Sequence, residues 1–281
     1  FGVFEKVLNE ERNRALARHC DELIQGLGIE QKERRADILE ELRATILKLS
    51  APDDLAISVR LVTETSGLFL PSDWDAAWLC IKSVWASKWN ERAYLSRRAN
   101  GVSDDDLFMA VLIQNVVEAD YAFVIHTVNP FTSKKDEVYA EAVLGLGETL
   151  VGNYPGRAFS FTCKKGQRFP RLLSFPSKRA GLFASGLIFR SDSNGEDLAG
   201  YAGAGLYDSV MLPSPRKAPL DYTSDTLIWN ENFRQEFMTT IAEIGSTVEK
   251  ALGSPQDIEG AYSKGRYYVV QSRPQVGVEN V

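Results

Sequence analysis

The sequence predicts an α+β fold, and three observations carry that reading. Apolar residues recur at helical spacing near both ends of the chain, in residues 3–49, 71–101 and 230–253. From residue 107 the period changes to two, in short β-branched and aromatic runs. Helices and strands are grouped rather than alternating, which points to a mostly antiparallel central sheet with flanking helices and against a doubly wound parallel one.

Each element has its own signal. Val3, Val7, Leu8, Ala15 and Leu16 begin the first helical pattern. "KERRADILEELRATILKLS" continues it with Ile38, Leu39, Leu42, Ile46 and Leu49, and the proline of "SAPDD" ends it. In "PSDWDAAWLCIKSVWASKWNERAYLSRRANG", Asp73 is placed to cap a helix. Trp74, Trp78, Ile81, Val84 or Trp85, and Trp89 form a core stripe, and Gly101 supplies the stop. "LFMAVLIQNVV", "YAFVIHTVN" and "EVYAEAVLGLGE" read as consecutive strands separated by "EAD" and by "PFTSKKD", whose "SKKD" looks like a hairpin tip. "GLIFRSD" is a further strand, and residues 213–226 read as a polar, proline-bearing connection. "NENFRQEFMTTIAEIGSTVEKALG" is a helix capped by Asn230 and stopped by Gly253, and "DIEGAYSKGRYYVVQSRPQV" is a hairpin about a Lys-Gly tip.

The chain of 281 residues carries a net charge of −6, so no overall basic field attracts a nucleic-acid backbone. No run approaches the roughly 18 apolar residues that a membrane span requires. Neither nucleic acid nor membrane is an expected partner. The three cysteines, Cys20, Cys80 and Cys163, form no CxxC and read as small buried apolar residues in a reducing compartment. The chain lacks an initiator Met and a visible signal peptide, and reads as a piece of something longer.

Two stretches carry chemistry. In "RSDSNGEDLAGYAGAGLYDSV", every residue from Gly200 to Gly205 except Tyr201 is glycine or alanine. Gly203 and Gly205 let backbone approach a ligand, and successive N–H groups there suit an anion. The run matches neither GxxxxGK[ST] nor the dinucleotide fingerprint, so a flexible turn is the competing reading. Arg190, at the end of an apolar strand, can grip phosphate by two hydrogen bonds, or pair with Asp192 or Glu196.

In the hairpin, Asp257 and Glu259 share one strand face, and Gln271 and Arg273 share one on the returning strand. A turn of odd length places Glu259 opposite Gln271 and Asp257 opposite Arg273. Such a face suits Mg²⁺ between nucleotide phosphates. An even turn separates the pairs, and a solvated hairpin with cross-strand ion pairs is the alternative.

Gln114 interrupts an apolar strand and requires a partner if buried, either an adenine edge or a backbone group. "GLGE" at 145–148 is a turn, with or without a ligand beside it. His126 within "FVIHTVN" is either a satisfied core histidine or a catalytic one. His19 lies among basic residues, and no Ser–His–Asp, HExxH or paired-histidine arrangement can be assembled.

Taken together, "VWASKWNERAYLSRR", "MAVLIQNVVEADYAFVIHTVNP", "EAVLGLGETLVG", "RSDSNGEDLAGYAGAGLYDSV" and "SPQDIEGAYSKGRYYVVQSRPQ" resemble the nucleotide-binding domain of the dikinases. That group includes pyruvate phosphate dikinase, phosphoenolpyruvate synthase and the starch-phosphorylating water dikinases, and the resemblance is strongest to the α-glucan, water dikinases. It implies an ATP-grasp-like fold of two lobes holding ATP and Mg²⁺. It also implies transfer of the β-phosphate to a histidine on a separate domain, release of the γ-phosphate to water, and passage of phosphate to starch, an α-glucan.

By position, the resemblance makes Arg190 an ATP-phosphate contact and Gly203 and Gly205 a phosphate-facing turn. It places Gln114 beside adenine, makes Glu259 and Gln271 metal and phosphate ligands, and puts Asp257 and Arg273 next to them. Arg190, Glu259 and Gln271 carry the catalytic roles. The implied segments are a helical one over 1–72, a helix and antiparallel lobe over 73–180, a phosphate-loop segment over 181–228, and a helix with the metal-ligand hairpin over 229–281.

Three departures accompany the match. The Arg-Ser motif follows "GLGE", where pyruvate phosphate dikinase has it before the tryptophan-rich block. This order is typical of the α-glucan enzymes and sets them apart from phosphoglucan, water dikinase. The family's lysine-bearing ATP segment and its phosphorylatable histidine are both expected upstream of Phe1, so the fragment is expected to be inactive alone. A phosphoglucan, water dikinase or a phosphoenolpyruvate synthase-like enzyme is the alternative within the group, and a nucleotide sensor or docking scaffold the alternative outside it. Plastid localisation follows from the resemblance.

Overall fold

The computed structural model describes residues 32–48, 74–104, 107–152, 154–195, 197–198, 201–202 and 205–275. The expected helix over residues 3–31, the cap at Asp73, and His19, Cys20, Leu49 and Gly203 lie outside these residues. In chain order the helices are α1 (Lys32–Leu47), α2 (Trp74–Ala86), α3 (Glu91–Ala99), α4 (Glu148–Val151), α5 (Thr226–Trp229) and α6 (Glu231–Leu252). The strands are β1 (Met109–Asn115), β2 (Tyr121–His126), β3 (Glu137–Leu144), β4 (Phe159–Lys164), β5 (Arg171–Ser174), β6 (Ala180–Phe183) and β7 (Leu187–Ser193). They continue with β8 (Asp197–Leu198), β9 (Tyr201–Ala202), β10 (Val210–Leu212), β11 (Arg216–Pro219), β12 (Gln256–Ser263) and β13 (Arg266–Pro274). Every strand pairing described is antiparallel, and the fold is α+β. No helix among the described residues is long and apolar enough to cross a membrane.

The chain divides into two compact units, residues 1–116 with 186–214, and residues 117–185 with 215–281. In the first, the sheet β1-β7-β10 packs one face on the helices. Trp78, Ile81, Val84, Trp85 and Trp89 are buried there as the stripe requires, with Trp78 and Trp85 edge to face at 5.4 Å. The tryptophan-rich helix is not continuous. Ser87–Trp89 is a 3₁₀ turn and Asn90 is extended, at φ −61° and ψ 140°. Ser87 donates its hydroxyl to the Val84 carbonyl, and the Asn90 amide donates to Asp208. The local Ser87 bond competes with the helical ladder, and the long-range bond from Asn90 holds the break.

β1 also departs from the sequence expectation, because it is not the first strand of a meander with β2 and β3. It pairs with β7 instead. The linking residues make no hairpin turn: Val116 N–H donates to the Gly186 carbonyl, and Asp120 N–H donates to that of Tyr262.

The second unit is a six-stranded sheet, β13-β12-β2-β3-β4-β5, with α6 across one face. Alternation along β2, β3 and β4 sends Phe123, Ile125, Val138, Ala140, Phe159 and Phe161 under that helix, where Phe237, Met238 and Ile241 meet them. Burying each large apolar side chain contributes about 1.5–3 kcal/mol. Gly245 sets the distance, since a Cβ there would lie 2.8 Å from a methyl of Ile125. Asn230 caps α6 by accepting from the Phe233 N–H, and Gly253 ends it at φ +74°. Within residues 213–226 the expected connection contains β11, paired with β6. Cys80 and Cys163 are buried, and burial pushes both thiols up from their ordinary value.

Candidate functional site

The site begins with the register of the β12–β13 hairpin. Glu259 lies opposite Gln271 and Asp257 opposite Arg273. The turn does not have the odd length proposed for it, because Ser263 pairs with Arg266 and only Lys264 and Gly265 lie between. Both turn residues have positive φ, +49° and +83°, which matches the twist of a two-residue hairpin. A β-bulge restores the alignment: Gly260 pairs with Val269 while Glu259 pairs with Gln271, leaving Val270 as the extra residue. Gly260 makes this crossing possible, for a Cβ there would collide with the buried Phe123 ring.

The four polar residues therefore share the sheet face that α6 does not cover. β2 extends that face, since Asp257 is opposite His126 and Glu259 opposite Val124. β3 extends it again with Tyr139 opposite His126 and Glu141 opposite Val124. His126 is not a core residue, its side chain being 28% exposed. Its Nδ1 lies 2.5 Å from Oδ1 of Asp257, and Nη2 of Arg273 lies 3.5 Å from Oδ2. The Tyr139 hydroxyl donates to Glu141 at 2.6 Å. Burial, reinforced by that bond and the Glu141 charge, pushes the phenol well above its ordinary value and keeps it a donor.

The edge of this face beside Asp257 is firmly tied. The Gln275 side chain accepts from the Val128 N–H and donates to the Val128 carbonyl, at 3.0 and 2.8 Å. The hydroxyl of Thr127 accepts from the Gln256 N–H at 2.8 Å. Period-two alternation in "FVIHTVN" and "EVYAEAVL" already separates His126, Tyr139 and Glu141 from the apolar positions. Their grouping with Asp257 depends on β2 lying beside β12, which no local pattern encodes.

In the first unit, Gln114 of β1 is opposite Ile188 of β7, and Arg190 is opposite Leu112. Gln114, Ile188, Leu112 and Arg190 therefore share the face turned away from Met109, Phe189 and Leu187 of the core. Leu112 is exposed on that face, and Gln114 and Arg190 are partly exposed. Gly205 has φ +76°, and no described atom lies within 4 Å of where a Cβ would stand. Gly145 of "GLGE", at φ +78°, is explained by packing: a Cβ there would strike the Leu182 carbonyl oxygen. The Leu146 N–H donates to that same oxygen at 2.8 Å.

No group of three or more His, Cys, Asp or Glu side chains among the described residues could enclose a metal. A carboxylate and an amide oxygen in register, Glu259 and Gln271, nevertheless fit Mg²⁺, which keeps several waters and completes its shell with substrate phosphates. Soft or imidazole-seeking metals find no matching ligand set among the described residues.

The chain belongs to the family of the pyruvate phosphate dikinase, AMP/ATP-binding domain, which matches residues 2–159 and so includes Gln114 and "GLGE". Over 98% of its length the chain is 52% identical to alpha-glucan water dikinase, chloroplastic, of Solanum tuberosum and 50% identical to alpha-glucan water dikinase 1, chloroplastic, of Arabidopsis thaliana. Phosphoenolpyruvate synthase of Pyrococcus furiosus is 26% identical over 69% of the chain. The chain spans about a fifth of the length of these relatives, 19%, 20% and 21% respectively.

Proposed function

We propose that this chain is the phosphoryl-donating domain of an α-glucan, water dikinase. The register that sets Glu259 against Gln271 and Asp257 against Arg273 is the observation that carries the reading. A carboxylate, an amide oxygen and a guanidinium on one sheet face match the needs of a nucleotide's phosphates and their cation. The chain's resident metal would be Mg²⁺, and when bound it neutralises charge on the phosphates. Glu259 and Gln271 hold it, and Asp257 and Arg273 flank them. Arg190 contacts a phosphate, Gly203 and Gly205 present backbone N–H groups to one, and Gln114 lies beside adenine. These groups work by orienting the phosphates and stabilising charge as the phosphoryl group moves.

The acceptor is a histidine of another domain of the longer polypeptide, which takes the β-phosphate and passes it to a glucosyl hydroxyl. The α-glucan substrate and plastid localisation come from the relatives that are identical at about half of the aligned positions. Those identities favour this enzyme over the phosphoenolpyruvate synthases, at 26%. A docking scaffold has no need of the paired carboxylates and the amide.

The test uses the full-length polypeptide with ATP labelled in the β-phosphate. Glu259→Gln is expected to reduce protein-bound phosphohistidine to background while circular dichroism and melting temperature stay at the parent values. Undiminished labelling would refute the assignment.

A further inference from the structure

We propose that His126 is a positioning residue for the nucleotide site, holding Asp257 so that Arg273 stays available to phosphate. The inference rests on the reading of this sheet face as the phosphate site. It concerns a residue outside the set of side chains assigned to ATP.

Its starting point is an ion pair that does not close. Arg–carboxylate pairs are frequently bidentate, with two parallel hydrogen bonds. Asp257 and Arg273 lie opposite each other on neighbouring strands, yet they share a single contact of 3.5 Å. The other carboxylate oxygen is held by His126 Nδ1 at 2.5 Å. His126 is the stiffer partner: the β2–β12 pairing fixes its backbone, and its ring lies 6.0 Å from that of Tyr139 at 31°. Phe131 in turn meets Tyr139 edge to face at 5.1 Å. The carboxylate is therefore oriented by a short, braced side chain. The remaining guanidinium donors of Arg273 have no partner among the described residues.

This arrangement gives His126 a defined task. With Oδ1 drawn to His126 Nδ1, the Asp257 carboxylate is turned so that only Oδ2 meets Arg273, at 3.5 Å, and the planar fork keeps donors for an anion. Remove the Nδ1 donor and the two residues can collapse into a two-bond pair that competes with phosphate. Asn places an amide donor near the position of Nδ1, whereas Gln places one near Nε2. The two substitutions therefore separate a specific hydrogen bond from general polarity.

The experiment measures Mg-ATP binding and the rate of β-phosphate transfer in the full-length polypeptide for His126→Phe, His126→Asn, His126→Gln and Arg273→Gln. His126→Phe is expected to weaken Mg-ATP binding about tenfold or more, the scale of a lost hydrogen bond to a charged group. The transfer rate at saturating nucleotide should change much less. His126→Asn should recover most of the binding and His126→Gln should not. Equal recovery by Asn and Gln, or unchanged binding in His126→Phe, would overturn the proposal. Normal binding in Arg273→Gln would overturn the phosphate-site reading as well. A loss in Arg273→Gln with none in His126→Phe would overturn the inference alone. Ring ¹⁵N shifts of the parent protein give a measurement independent of variant folding: they should show a proton on Nδ1, and a ring protonated only on Nε2 would contradict it.

Discussion

Gly260 shows how much of the site depends on one small residue. It follows Glu259 at the bulge, and its missing side chain leaves room for the Phe123 ring, which is fully buried. A Cβ would also lie 2.7 Å from the Tyr268 carbonyl oxygen. Neither neighbour can yield, one being core and the other backbone. Gly260→Ala is therefore expected to cost about 1–3 kcal/mol of stability, read as a lower urea midpoint. An unchanged midpoint would mean that the strand moves freely at this point. At this scale the sequence was informative for residues that depend only on alternation, namely Asp257 with Glu259 and Gln271 with Arg273. It was silent on the bond between His126 and Asp257, because that contact joins strands far apart in the chain.

Among the elements, α6 is the most legible, and its ends explain why. The Asn230 side chain accepts from the Phe233 N–H at 3.0 Å, and Gly253 takes the left-handed conformation that few other residues tolerate. Asn230→Ala should lower stability by about 1 kcal/mol in equilibrium unfolding, while Asn230→Asp, which keeps the cap, should not. Equal stability of the Ala variant would show that the packed face of α6 alone defines its start.

The hairpin was legible only in part. Its strands follow from the spacing of polar residues, but the register stays open between an odd and an even turn, and the two-residue turn and the compensating bulge are hidden. Both an odd turn and an even turn with one extra residue produce the same alignment. The break in the tryptophan-rich helix was hidden for another reason. Its apolar stripe stays buried on both sides of Ser87–Trp89, so the period gives no sign of the interruption.

On the scale of the whole molecule, the fold class could be read from grouped periods, but the division of strands between sheets could not. β1 and β2 are neighbours in sequence and belong to different compact units, each assembled from two separate stretches of chain. Loop composition does not encode such crossings; they are fixed by which strands each one pairs with, β1 with β7 and β2 with β12 and β3. The central claim is that the face carrying Glu259 and Gln271 receives the metal of a metal–nucleotide complex. The most direct test is diffraction from crystals of the protein grown with Mn²⁺ and a non-hydrolysable ATP analogue, collected at the manganese edge. The account predicts an anomalous peak within bonding distance of the Glu259 carboxylate and the Gln271 amide oxygen, with phosphate oxygens completing the shell. An ordered nucleotide whose manganese lies away from both side chains would contradict it.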